Sequence, residues 1–309
     1  MEPRKRAIIL LITLLLSTQT VSAGPAEAVE AGVVFGGQST EANTSSTNVH
    51  NLSELPTIVE VYTATWCSNC VDVEHALDDV EANASMHQYH IHRSISEMQD
   101  PFGTDVLDAR FHDRYGRYSP PAVVFNGTTM VRGSVAQSDS LQQDFSTIIE
   151  QPLDLGTGSS SFVWTVTGES QGTATWALDI DTSQFGEGTL GAYLWVVEAS
   201  AYFKEGTNGL ENYPHIVRDM IHLGNESQGT VEVVLPAAFD DADLSVHLVY
   251  QFTAPAEEEP AVVTDVDGWG PAAEDVALKI RNNQSYNTKT RPRICKTMPN
   301  IFESCVLDK

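Results

Sequence analysis

Basic residues are scarce in this 309-residue chain. Between residues 25 and 278 there are 39 Asp and Glu against seven Lys and Arg, and the whole chain has a formal net charge of −25. Such an acidic surface repels the phosphates of nucleic acids and of anionic membranes. The composition therefore argues against nucleic acid and membrane surfaces as partners.

A second long apolar segment is also absent. The chain starts with the basic stretch MEPRKR, the apolar run AIILLITLLL and the small residues VSA before Gly24. This is the pattern of an export signal over residues 1–23, with an uncleaved signal anchor as the alternative. No later stretch reaches about 18 apolar residues, the length of a membrane span. We therefore expect an exported protein, secreted or at the cell surface, with no further transmembrane span.

Cysteine is rare, with four residues in the chain: Cys67, Cys70, Cys295 and Cys305. A structural zinc site takes four ligands, and the last two cysteines lack the CxxC spacing of the first two. The sequence also lacks a Gly-rich phosphate loop, a hydrolase elbow and an acidic metal cluster with credible spacing. No metal and no cofactor is predicted, apart from the redox-active pair Cys67 and Cys70.

The order of predicted elements favours an α/β domain over residues 56–152. TIVEVYT predicts a strand and the apolar spacing after Cys70 a helix, and MHQYHIHRSI then predicts a second strand. PFGTDVLDARFHDRYGRY follows as a helix, PPAVVFNG and TTMVRGS as a hairpin, and SDSLQQDFSTIIEQ as a closing helix with Ser138 or Ser140 at its N-cap. Strand, helix, strand, helix, hairpin, helix is the order of a thioredoxin fold.

The flanking segments differ in character from this domain. Residues 24–55 are small and polar without periodicity, which predicts a flexible linker. Residues 155–255 contain short runs rich in Val, Thr and aromatic residues between Gly- and Asp-rich turns, which predicts a β-sandwich domain. Residues 256–309 combine an acidic linker with a basic tail, and we expect them to be disordered.

The pair Cys67 and Cys70 lies where a predicted strand leads into a helix. The free N–H groups and the dipole of a helix N-terminus stabilise a thiolate at the first cysteine. The second cysteine, one turn along, can resolve a mixed disulfide by attacking the first sulfur. Cys67 is thus the expected nucleophile, Cys70 the resolving thiol, and Trp66 a cover for one flank of the dithiol.

A proline before the third strand is the second mark of a dithiol site. In a thioredoxin fold a cis-proline lies opposite the dithiol and its backbone pairs with an incoming peptide. The stretch YSPPAVVFNG offers Pro120 for this position, with Ser119 before it, and Pro121 is the competing candidate. Cis X-Pro bonds are uncommon enough to imply a purpose. We therefore predict Trp66, Ser119 and Pro120 as substrate-binding residues.

These residues carry a family resemblance. VEVYTATWCSNC resembles the opening of the thioredoxin-like secreted proteins of unknown function, and is similar to outer-membrane lipoproteins that join a thioredoxin-like domain to a β-rich one. The match continues through HIH, DPFGTDVLDARFHDRYGRYSPPAVVFNG and VRGS. It covers about residues 57–148, and 155–255 more loosely. The resemblance implies an α/β thioredoxin-like domain followed by an all-β sandwich-like domain, with a redox dithiol.

Three departures from that pattern bear on the chemistry. Val71 follows the second cysteine, where many relatives have Pro. Val61 stands where thioredoxin has a buried Asp, and Glu60 beside it should face the other side of the strand. Asp72 and Glu74 oppose the helix dipole by raising the pKa of a thiolate. We expect only modest activation of Cys67.

The first hypothesis is an exported thiol–disulfide oxidoreductase that exchanges with protein thiols and disulfides or with a membrane thiol electron carrier. The second is a non-enzymatic cell-surface binding protein in which the disulfide is a staple. Six Asn-x-Ser/Thr sites suit a glycosylated surface protein: Asn43, Asn51, Asn83, Asn126, Asn225 and Asn283. A third option is a copper-handling metallochaperone that uses Cys67 and Cys70 with His90 or His92.

Overall fold

β-Strands dominate the computed structural model, which describes residues 25–94 and 99–255. The described residues contain three α-helices, Ser68–Glu81 (α1), Asp105–Tyr115 (α2) and Leu141–Ile149 (α3). The strands of the described residues are Glu27–Ala28 (β1), Val34–Glu41 (β2), Ser46–Asn51 (β3), Thr57–Thr63 (β4), Met86–His92 (β5), Ala122–Phe125 (β6), Thr129–Arg132 (β7), Ser159–Gly168 (β8), Gln171–Asp179 (β9), Thr189–Tyr202 (β10), Asn212–Gly224 (β11), Gln228–Val234 (β12) and Leu244–Thr253 (β13).

The helices begin where capping residues allow them to begin. Cys67 precedes α1 in an extended conformation, whereas the side chains of Thr104 and Ser140 accept hydrogen bonds from the first turns of α2 and α3. Of the two serines predicted as caps for the third helix, Ser140 is the one used. The apolar residues of α1 and α3 pack on Val59 and Val61 of β4, which buries one face of each helix.

One mixed sheet of nine strands runs through both halves of the chain. Its order is β1-β7-β6-β4-β5-β11-β10-β13-β2, and β4 and β5 are parallel. The strands β10, β11 and β13 belong to the segment predicted as a separate second domain. They extend the same sheet, because β11 lies parallel to β5 and joins it through the single registered pair Ile216 and His90.

The predicted fold class, an α/β thioredoxin-like domain followed by an all-β sandwich-like domain, is therefore wrong. The chain is mainly β, and the strands between residues 57 and 132 do not form a sheet of their own. The described residues before Ala256 cluster as one compact unit. Residue patterns predict which side of a strand is buried but not which distant strand lies next to it.

A second sheet, of order β12-β9-β8-β3, packs against part of the first and gives a sandwich-like arrangement. The core between the two sheets contains Trp164 and Trp176 from the smaller sheet, and Leu194, Leu248 and Tyr250 from the larger one. The predicted β-sandwich is thus present as a packing of two sheets. One of them is shared with the helix-bearing part of the chain.

The predicted flexible linker over residues 24–55 is also wrong, since it contains β1, β2 and β3. β2 forms the edge of the large sheet and pairs antiparallel with β13. Its small residues permit this pairing: Gly36 has φ +118°, and a Cβ atom there would lie 2.6 Å from the carbonyl oxygen of Leu248. The composition that suggested a linker allows close contact between strands.

Three predictions concern residues outside the described ranges: the signal segment, the tail after residue 255, and the role of Cys295 and Cys305. Within residues 25–94 and 99–255, no helix is long and apolar enough to span a membrane. Among the Asn-x-Ser/Thr sites, Asn43, Asn51, Asn83 and Asn225 are exposed. Asn126 is half-buried and its side-chain oxygen accepts the backbone N–H of Ile58 at 2.9 Å.

Candidate functional site

A disulfide joins Cys67 and Cys70 at the N-terminus of α1, with their Cα atoms 5.3 Å apart. The chain leaves β4 at Thr63, turns through Ala64, whose carbonyl accepts the N–H of Cys67 at 2.9 Å, and enters the helix. Cys67 is the N-cap and Cys70 lies in the first turn. The sequence predicted this placement, in which unpaired helical N–H groups lie next to the first sulfur.

The disulfide is shielded on most sides. Cys70 is fully buried and Cys67 is 5 % exposed, in a cluster with Ala64 and the half-buried Trp66. The guanidinium carbon of Arg93 lies 5.8 Å from the centroid of the Trp66 ring. Ser68 and Asn69, the two residues between the cysteines, are exposed. A partner would therefore approach the disulfide over the exposed turn and the edge of Trp66.

The cis-proline before β6 lies one position after the residue predicted for this role. The cis peptide bond joins Pro120 to Pro121, so the cis-proline is the competing candidate Pro121 and not Pro120. Ser119 is exposed, Pro120 half-buried and Pro121 buried. Ala122, the first residue of β6, pairs with Tyr62 near the end of β4. This register brings the Ser119–Pro121 segment to the end of the sheet from which α1 starts.

Buried polar groups lie beneath the disulfide. Glu74 is 4 % exposed, lies one turn beyond Cys70 on the same face of α1, and accepts a hydrogen bond from Thr63 Oγ1 at 2.5 Å. His92, on β5 beside Thr63, contacts Asp100 through its Nδ1 atom at 2.8 Å. The Nε2 atom of His92 is buried and has no hydrogen-bond partner within the described part of the chain.

Asp100 connects this group to the loop that carries the dithiol. Its carboxylate accepts the N–H of Thr65 at 2.8 Å and the N–H of Phe102 at 3.0 Å. Burial by itself raises the pKa of Asp100, but His92 and the two backbone N–H groups lower it below its usual value. Asp100 is therefore an anion that fixes both the loop before Cys67 and the ring of His92.

Glu74 behaves in the opposite way. Burial raises its pKa above the usual 4.5, and the hydrogen bond from Thr63 and the proximity of His92 offset only part of that effect. The sequence signal for this group was the spacing of four residues from Cys70. The sequence analysis predicts for Glu74 only a local charge that raises the pKa of the thiolate, and the structure adds that this side chain lies on the buried face of α1.

We expect Glu74 to make stability depend on pH. The folded protein holds the Glu74 proton to higher pH than the unfolded chain, so stability is fully present below about pH 4.5 and falls as pH rises through the folded-state pKa. Glu74→Gln removes this titration. Urea denaturation over a pH series gives the unfolding free energy of the wild type and of Glu74→Gln. As pH rises from about 4.5 through the folded-state pKa of Glu74, the wild type should lose stability relative to the variant.

Glu150→Gln is the matched control for this measurement, since Glu150 is exposed at the end of α3. The pH-dependent change for Glu74→Gln should exceed the change for Glu150→Gln over the same pH range. A change for Glu74→Gln no larger than that of the control would show that the carboxyl group titrates as it does in the unfolded chain.

Glu60 faces away from the dithiol, as strand alternation predicted. It is fully buried on the α2 side of β4, where Arg110 Nη1 and the hydroxyl of Tyr115 both donate to its carboxylate. The guanidinium of Arg110 also lies over the ring of Trp195, 5.2 Å from its centroid. This group ties α2 to the sheet and has no contact with the disulfide in the described structure. Val61 packs against residues of α1 on the other side of β4, so this position supplies no carboxylate there.

Comparisons with known proteins give little. No protein-family model matches the chain, and no curated protein matches it. HBP35 of Porphyromonas gingivalis is a structural neighbour with a TM-score of 0.46 and 14% identity, over 70% of this chain and 80% of that one. A structural-genomics target from Agrobacterium tumefaciens is another structural neighbour, with a TM-score of 0.39 and 15% identity, over 66% of this chain and 96% of that one. Both TM-scores are below 0.5, so neither likeness carries an argument about this chain.

Proposed function

We propose that the protein is an exported thiol–disulfide oxidoreductase that acts on protein disulfides through Cys67 and Cys70. The observation that carries the proposal is the disulfide between an N-cap cysteine and the cysteine one turn along the same helix. A helix N-terminus favours the thiolate form of a cysteine placed there, and the second cysteine lies within reach of the first. The sequence resemblance at the dithiol adds support, although the fold it implied was wrong.

In the reducing direction, the thiolate of Cys67 attacks one sulfur of a substrate disulfide. A Cys67–substrate disulfide forms, the substrate S–S bond breaks, and one substrate sulfur leaves as a thiolate. The thiolate of Cys70 then attacks Cys67 Sγ, which releases the second substrate thiolate and closes the Cys67–Cys70 disulfide. Two electrons pass from the dithiol to the substrate. Oxidation of a substrate dithiol is the same sequence in reverse.

Resolution requires Cys70 to lose its proton although it is fully buried. Glu74 is the carboxylate placed to receive that proton, because it lies one turn beyond Cys70 on the same helix face and is itself buried. Its raised pKa brings its proton affinity closer to that of a thiol. In this mechanism Glu74 takes over the task that a buried strand carboxylate would have at the position of Val61.

Trp66, Ser119 and Pro120 are the proposed substrate contacts beside the dithiol, with Pro121 as the cis residue. Trp66 offers an aromatic edge, and the exposed Ser119 offers backbone groups to an extended peptide. The partners of this surface are protein thiols and disulfides, or a membrane thiol carrier that renews the dithiol.

A second function, a cell-surface binding protein with a structural disulfide, is favoured by one observation: Cys67 is only 5 % exposed. A disulfide that partner proteins cannot readily reach stabilises the fold and does not exchange with them. The copper-handling option has less support. Within the described ranges, neither Cys67 and Cys70 nor His90 and His92 belong to a group of three or more ligands that could hold one ion.

The equilibrium reduction potential of Cys67–Cys70 separates the first two functions. Redox titration against thiol buffers, in a Cys295→Ser/Cys305→Ser background, should give a value above about −300 mV, in the range of working oxidoreductases. The double substitution ensures that a single dithiol titrates. A value below about −300 mV would indicate a staple and favour the binding protein.

A further inference from the structure

Three potential metal ligands meet at the C-terminal end of α1, the end opposite the dithiol. Asp78 and Glu81 lie one helical turn apart, and His215 reaches them from β11. Its Nε2 atom is 4.0 Å from Asp78 Oδ1 and 3.8 Å from Glu81 Oε2. One ligand atom from each of the three side chains lies within 4.8 Å of the others. These side chains come from distant parts of the sequence.

A fourth side chain points at the same two oxygens. The Nε2 atom of Gln88, on β5, lies 2.9 Å from Asp78 Oδ1 and 2.8 Å from Glu81 Oε2. Gln88 is 2 % exposed, and its Oε1 atom is 3.2 Å from His90 Nε2. A half-turn of the Gln88 carboxamide would direct Oε1 to the carboxylates and place its NH2 group beside His90 Nε2.

The two carboxylates have little compensating charge. Within the described part of the chain, the ion-pair partner of both is His215, and neither has a salt bridge to Lys or Arg. Two carboxylate oxygens that share one amide donor and face an imidazole form an electron-rich site that a divalent cation would neutralise.

We propose that Asp78, Glu81 and His215 bind a divalent transition-metal ion of the zinc type, with Gln88 as the fourth ligand after its carboxamide turns. Tetrahedral zinc, with bonds of about 2.0–2.1 Å, holds its ligand atoms roughly 3.3 Å apart. His215 Nε2 lies 3.8 and 4.0 Å from the two carboxylate oxygens, and all three ligand atoms lie within 4.8 Å of one another, so the side chains must draw together on binding. Asp78 is exposed and Glu81 and His215 are half-buried, so an ion can enter from solvent.

Such an ion would act as a clamp across the junction of the large sheet that has the fewest registered residue pairs. β5 and β11 share one registered residue pair, whereas β10 and β11 share ten. The ligands come from both sides of that junction: α1 and β5 on one side, β11 on the other. This site is independent of the dithiol, so it neither requires nor supports the redox function.

Calorimetric titration of the full, oxidised chain with zinc chloride tests the proposal. A Cys295→Ser/Cys305→Ser background removes the soft ligands in the tail. We expect one Zn²⁺ per chain and a rise in Tm on binding, because the ion binds the folded state. Asp78→Asn, Glu81→Gln and His215→Asn should each weaken binding at least tenfold and reduce the Tm shift. Asn is chosen at 215 because φ there is +56°, which Asn tolerates.

Asp79→Asn and His222→Asn are the matched controls, since both residues are exposed and lie on the same helix and strand as the proposed ligands. They should leave the affinity unchanged within about twofold. Glu81→Gln preserves size and shape, which keeps the test valid if His215→Asn folds poorly. Absence of stoichiometric Zn²⁺ binding, or equal binding by the ligand variants, would overturn the proposal. Tighter binding of Ca²⁺ than of Zn²⁺ would overturn the assigned class of ion.

Discussion

Cys67→Ser is expected to lower the turnover of a protein disulfide by about a thousandfold or more, as loss of a covalent nucleophile does. A serine at the N-cap of α1 can cap the helix through its hydroxyl but cannot form the mixed disulfide. The assay is steady-state reduction or oxidation of a disulfide-bonded protein. Far-UV circular dichroism shows whether the variant is folded.

Cys70→Ser distinguishes the roles of the two cysteines. It leaves the attacking thiol in place and removes the resolving one, so a Cys67–substrate adduct should accumulate and be visible by mass spectrometry. Cys295→Ser/Cys305→Ser should retain full turnover. Unchanged turnover in Cys67→Ser would refute the proposed function and leave the disulfide with a structural role.

Glu60→Ala should cost about 3–5 kcal/mol of unfolding free energy, the usual effect of breaking a buried ion pair. The substitution leaves the guanidinium of Arg110 without its carboxylate beneath α2, while Arg110 Nη2 still donates to Gln251 Oε1 at 3.2 Å. It also removes the acceptor of the Tyr115 hydroxyl. The loss should appear as a lower urea midpoint with an unchanged slope.

Glu27→Ala is the matched comparison for this experiment. Glu27 also pairs with an arginine, Arg132, but both of these side chains are about two-fifths exposed. Breaking that pair should cost no more than about 1 kcal/mol. A cost for Glu60→Ala as small as that would mean that Arg110 moves to solvent, and that α2 is held to the sheet by its apolar contacts alone.

Local structure was predictable from the sequence where a short pattern determines it. The first helix follows from the apolar spacing after Cys70, and the start of the third from the predicted cap Ser140. The position of Cys67 at a helix start follows from the strand-like run before it. Two adjacent prolines offered no local signal to separate them, because either can precede a strand. The sequence analysis predicted Pro120, with Pro121 as the alternative, and the structure shows that Pro121 is the cis residue.

The large sheet was not predictable, because its order depends on pairings between distant strands. Most residues of β2 are small or polar, yet the strand is largely buried because β13 lies beside it. The same limit applies to His215. It meets Asp78 and Glu81 only because β11 continues the sheet beyond β5. Glu74 lay within reach of inference, since four-residue spacing from Cys70 places it on one helix face.

The pairing of β2 with β13 sets the time at which the protein can finish folding. β2 obtains this hydrogen-bonded neighbour only when β13, the last strand of the described residues, has been made. Contacts of such large sequence separation slow folding, because a long loop must close before they form. Until then β10 and β2 have free edges that can pair with other chains. The large sheet therefore stays incomplete, with these edges open to pairing, until β13 has been synthesised.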